Sequence, residues 1–170
     1  MKTILKLIGS ALLLTGFMIS ADAQSTATAS TTAVLVTPIS IAKTTDMHFG
    51  TVAASGTAGT VALDYANGRV ATGGASLPAG STLQKTGVFT VTGEGNSTFA
   101  ITIPAAPITL TGSVTGTMTV DNFLDDLGAT GTLVGGTKII NVKATLNVAA
   151  GQPAGVYTNA AGLFVTVNYN

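Results

Sequence analysis

From Ala33 to the carboxyl end, apolar and polar residues alternate in short runs separated by Gly, Pro, Asn and Asp. Period-two alternation puts successive side chains on opposite faces of an extended chain, so each run predicts a strand with one covered and one wet face. The clearest run is Lys138–Val148. It places Ile140, Val142, Ala144, Leu146 and Val148 on one face, and Asn141, Lys143, Thr145 and Asn147 on the other. Phe99, Ile101 and Ile103 alternate with Thr98, Ala100 and Thr102. Phe89 and Val91 alternate with Thr90 and Thr92, and Met118 and Val120 with Thr117 and Thr119. At the end of the chain Leu163, Val165, Val167 and Tyr169 alternate with Phe164, Thr166, Asn168 and Asn170. Two hairpins are expected. Asn67-Gly68 is the preferred pair for a type I′ turn and would set Tyr65 opposite Val70. Gly93–Asn96 would join Gly87–Thr92 to Ser97–Ile103. No helical period follows residue 23, and about nine or ten strands are expected. Their number and patterning predict an all-β fold, a two-sheet antiparallel β-sandwich with Greek-key, immunoglobulin-like connections.

The amino terminus has a different pattern. Lys2 and Lys6 precede the apolar stretch Leu7–Ile19, and Ala21-Asp22-Ala23 fits a small-x-small cleavage site. Together they predict a signal peptide over residues 1–23, since the apolar stretch is too short to span a bilayer comfortably. The small polar residues 24–32 read as a flexible leader, and 33–170 as a single sandwich domain. The expected location is therefore outside the cytoplasm: periplasm, cell surface or medium, with no membrane span once the signal is removed. An outer-membrane barrel would also alternate. It would need aromatic girdles and apolar outward faces, whereas aromatics are 5% of this chain and many strands carry Thr on that face.

Composition narrows the chemistry. Of seven basic and seven acidic residues, Lys2, Lys6 and Asp22 leave with the signal, so five basic and six acidic groups remain. A balance this close to neutral offers no footprint for nucleic acid. There is no cysteine, so neither a disulfide framework nor a thiolate metal site is available. Charged residues make up 8% of the chain, and Thr takes their place as the solvent-facing residue. Such a surface is weakly defended against edge-to-edge strand pairing.

The reactive residues are few and scattered. His48 is the single histidine and reads as a solvent-facing strand residue. Asp121, Asp125 and Asp126, with Asn122 between, form the one carboxylate cluster, but their spacing matches no calcium loop. Ser40-Ile41-Ala42-Lys43 has the letters of a Ser-x-x-Lys motif without the helix that motif needs. Glu94 stands alone in a turn, with no second carboxylate placed to make a glycosidase pair. Asn96-Ser97-Thr98 has the form of a glycosylation sequon and reads more simply as a turn. The Thr pairs 90/92, 109/111 and 117/119 lack the constant repeat of an ice-binding face. No catalytic, cofactor-binding or metal-binding residue is assigned, and an enzyme is not expected.

Three stretches taken together carry a resemblance: Ile39–Val52 (ISIAKTTDMHFGTV), Phe89–Ile103 (FTVTGEGNSTFAITI) and Gln152–Asn170 (QPAGVYTNAAGLFVTVNYN). They resemble a bacterial secreted domain of unknown function, the four-four-zero-two family. The Phe49-Gly50 pair and the start of the final segment (Gln152 to Thr158) are more distantly similar to spore-coat-U-type pilin subunits of archaic chaperone–usher fibres. That likeness implies polymerisation by strand donation, a form of β-augmentation. The chain departs from it in having no cysteine pair and a leader whose only apolar groups are Ala27 and Ala29. Either Ala33–Ile41 is the donated strand, or the domain is complete without one. The expected role is an exported, non-enzymatic surface protein, a fibre subunit or adhesive module, with partners that are copies of itself or other surface proteins. The rival is a monomeric ligand-binding sandwich of glycan type, for which Tyr157 is the one loop aromatic that stands out.

Overall fold

A computed structural model describes residues 24–170; the expected signal peptide, residues 1–23, lies outside the described residues. Eleven strands follow in order: β1 (Ser40–Thr45), β2 (Ala53–Leu63), β3 (Arg69–Ser76), β4 (Gly87–Thr92), β5 (Thr98–Thr102), β6 (Ile108–Gly112), β7 (Thr117–Asp125), β8 (Thr130–Thr132), β9 (Thr137–Val148), β10 (Tyr157–Thr158) and β11 (Thr166–Tyr169). No helix occurs among the described residues. All pairings are antiparallel, and they form two sheets. One has eight strands, with the path β1-β4-β9-β7-β6-β10 and the β2–β3 pair attached to β9. The other has three, β11-β5-β8.

β9 organises the large sheet because it is long enough to hold three neighbours. Thr137–Val142 pairs with β4, Thr145–Val148 with β2, and Val142–Asn147 with β7. Register shifts at Lys43/Thr45, Ala54/Gly59 and Asp121/Leu124 interrupt three of the ladders. Bulges bend a strand and increase its twist, and the sheet curls into a half-barrel.

The expected face assignment holds along β9. Ile140, Val142, Ala144, Leu146 and Val148 are buried, while Asn141, Lys143, Thr145 and Asn147 are partly exposed. The same alternation buries Phe89 and Val91 of β4, Phe99 and Ile101 of β5, and Val167 of β11, while in β7 the shift at Asp121/Leu124 resets the period so that both Val120 and Phe123 are buried. These side chains form one core with Val61, Leu63 and Leu133. In the small sheet, the fully buried ring of Phe99 lies over Gly131, its cross-strand partner. Thr86 is the buried polar residue of the core, and its amide donates to Asn67 Oδ1 at 2.8 Å.

The first expected hairpin is present, β2 with β3, in a different register, and the second is absent. Leu63 pairs with Arg69 and Ala62, not Tyr65, lies opposite Val70. The connection is a five-residue loop, Asp64–Gly68, because the Asp64 carboxylate accepts the amides of Ala66 (2.8 Å) and Gly68 (2.6 Å) and closes a wider turn. Asn67 takes the positive φ, 65°, that the pair was expected to supply. Gly93–Asn96 does not join a hairpin. It carries the chain from β4 in the large sheet to β5 in the small one, a change of sheet that alternation cannot report. The final run pairs only over Thr166–Tyr169, although Leu163 and Val165 still pack against the core.

Candidate functional site

The most unusual local feature lies where the chain enters β1. Residues 24–39 form no strand, and Ala33–Ile39 is the apolar part of that stretch. Leu35 is 100% exposed, Val34 85% and Val36 51%. Burying three such side chains would stabilise a folded state by several kcal/mol, roughly 1.5–3 each, yet these three are left in water.

The segment is nevertheless fixed at one residue. The Thr37 amide donates to Glu94 Oε2 at 2.9 Å. The Tyr169 hydroxyl donates to the Thr37 carbonyl at 2.8 Å and accepts the amide of Glu94. Glu94 sits in the β4–β5 turn and Tyr169 at the end of β11, so this clasp joins three distant parts of the chain. The Thr37 amide on the Glu94 carboxylate holds it below the usual carboxylate range. The clasp lies beside two free edges. β1 ends the path of the large sheet and β11 ends that of the small one, and no ladder joins them.

A second surface lies on the outward face of the large sheet. Register brings Thr72, Thr60, Asn147, Thr119 and Thr109 into one row across five strands. Thr60 and Thr72 share a hydroxyl–hydroxyl bond of 2.7 Å. The groove there, about 570 Å³, is lined also by Thr117 and Met118 and carries no charged side chain.

The residues singled out in the sequence are dispersed. His48 is exposed and bridges Lys85 through the backbone, while its Nδ1 accepts the Gly50 amide at 2.7 Å. Ser40 bonds Thr92 across the strands at 2.7 Å, and Lys43 pairs with Asp46. The three aspartates are used locally. Asp121 accepts from Asn122, Asp125 from the Leu127 amide, and Asp126 from the amide and side chain of Asn141. No grouping of three metal-ligating side chains occurs among the described residues. Tyr65 reaches from the β2–β3 loop to donate to the Asp125 carbonyl at 2.6 Å, with Lys143 over its ring. Burial first, then the charges of Asp125 and Asp126, raise its phenol above the ordinary value. Asn96 accepts the Gly135 amide, and Tyr157 donates to the Pro153 carbonyl. The Glu94–Thr37–Tyr169 clasp escaped the sequence, since nothing in its spacing signals that residues 57 and 132 positions away converge on the backbone of Thr37.

The family model described as "Domain of unknown function (DUF4402)" matches residues 39–169. The chain belongs to the DUF4402 family. The matched span begins one residue before β1 and includes every strand, so the DUF4402 domain comprises both sheets, while Leu35 and Val36 lie upstream of it. Neither a curated protein nor a solved structure matches the chain.

Proposed function

We propose that this DUF4402 domain is an exported, non-enzymatic structural protein of the cell surface whose subunits associate with one another. The observation that carries the proposal is the exposed apolar pair Leu35-Val36, next to Thr37, whose clasp lies beside the unpaired edges of β1 and β11. A free edge presents a row of backbone donors and acceptors, and an extended apolar segment from a second copy supplies both the ladder and the side chains to cover it. In this reading the two sheets are the layers of a sandwich left open along one edge, and the distant likeness to spore-coat-U-type pilins describes the mode of assembly. The Thr-rich, weakly charged surface favours such contact, and the signal-like residues 1–23 provide export. Labelling the native cell surface and viewing it by negative-stain microscopy tests the role. Label on surface assemblies is expected, and label confined to the cytoplasm would overturn it.

A second reading has its own observation, the uncharged Thr- and Asn-lined groove on the outward face. Its hydroxyls and amide suit a neutral glycan, and in that case the protein is a monomeric binder. A glycan array separates the two: reproducible binding abolished by Thr119→Val with Asn147→Leu would favour the groove.

A further inference from the structure

We infer that the Glu94–Thr37–Tyr169 clasp keeps the amino-terminal segment from pairing with its own subunit, so that a second copy receives it. This deepens the self-association reading and rests on it. The argument starts from Thr37-Pro38-Ile39-Ser40. A proline in the second position favours a β-turn, closed by a bond from the fourth amide to the first carbonyl. Such a turn would fold the segment back along the free edge of its own β1 as a hairpin. The local concentration of a segment attached three residues away would make that closure hard for any second molecule to compete with.

The clasp removes both backbone groups of Thr37 from such a hairpin. Its carbonyl, the acceptor the turn needs, is taken by Tyr169 at 2.8 Å, and its amide is taken by Glu94 at 2.9 Å. Pro38 has no amide to offer. Two consecutive residues therefore contribute nothing to a ladder with β1, and Leu35 and Val36 just upstream are left without that partner. The exposure of Leu35 fits a segment that its own domain does not cover. From Gln24 to Val36 the segment has thirteen residues, enough to extend roughly 40 Å, about twice the length of a typical strand. Glu94 and Tyr169 are positioning residues here: they act on the segment through Thr37.

The test compares the exported form of the full chain with Glu94→Ala/Tyr169→Phe and with Leu35→Asp, using light scattering for assembly and amide exchange on the monomer fraction. Wild type should assemble, with Leu35 and Val36 exchanging freely in the monomer. The double variant should assemble about thirtyfold less, the change two ordinary hydrogen bonds make in an equilibrium, and its Leu35 and Val36 amides should gain protection as the segment pairs back. Leu35→Asp should block assembly with the clasp intact. Where thermal melts show that the double variant does not fold, Glu94→Ala alone serves, because its side chain bonds only Thr37. Wild type and variant assembling equally, with no gain of protection, overturns the clasp and leaves self-association standing. A wild type that never assembles overturns both.

Discussion

Gly131→Ala is a sharp probe of how the small sheet packs. Gly131 is buried opposite Phe99, whose ring lies over it. A Cβ built there would lie 2.3 Å from Phe99 Cζ and 2.8 and 2.9 Å from the two Cε atoms. Ordinary contact begins near 3.4 Å, so the ring must retreat by about 1 Å. It cannot swing into solvent, since Phe99 is fully buried beneath the core. Gly131 does not take a positive φ, so the cost is overpacking alone, roughly 1–3 kcal/mol. Gly56→Ala is the control, because nothing lies within 4 Å of its would-be Cβ; a change within about 0.5 kcal/mol is expected there. Urea unfolding of both variants, followed by intrinsic fluorescence and circular dichroism, measures the difference. Adding Phe99→Leu to Gly131→Ala should recover part of the loss, with a coupling of about 1 kcal/mol or more. Equal stability of Gly131→Ala and Gly56→Ala would refute the packing described for β5 and β8.

Three further outcomes are expected. Ile140→Ala or Val142→Ala should cost about 2–4 kcal/mol and Thr145→Ala well under 1 in denaturant titration, because the first two are fully buried and the third faces outward. Asp64→Ala should cost about 1–2 kcal/mol by the same assay, since two loop amides lose their acceptor. The Thr37 amide should report the ionisation of Glu94. The folded pKa is lowered, so the bond's contribution is fully present above the ordinary carboxylate range and disappears as pH falls through the depressed value. A titration of the Thr37 amide resonance should show this, and a midpoint above the ordinary range would contradict it.

Much of the fold was legible because burial in a sheet has a period of two. Ile140 through Val148 revealed their face since every second residue meets the same core. Sheet membership was not legible. Thr92 and Ser97 flank a turn that looks like any hairpin turn, and only long-range pairing, β4 with β9 and β5 with β11, shows that the chain changes sheets there. The Asn67-Gly68 turn was misread because the Asp64 side chain competes with the local turn preference and widens the loop. The clasp was invisible for a different reason. Its bonds use the backbone of Thr37, a lone Glu and the Tyr of the last strand, and each has an ordinary reading alone. Register also made a row of Thr and Asn from residues with no repeat in sequence, since five strands of different lengths align them.

Self-association through the exposed segment is the central claim, and light scattering across a range of concentrations tests it most directly. Recovered from the exported fraction, the chain should form oligomers whose mass grows with concentration and which survive unboiled gel electrophoresis, because a ladder and its buried side chains must release together. The Leu35→Asp variant should remain a folded monomer under the same conditions. A wild-type chain that stays a single cooperative monomer at every concentration would contradict the account.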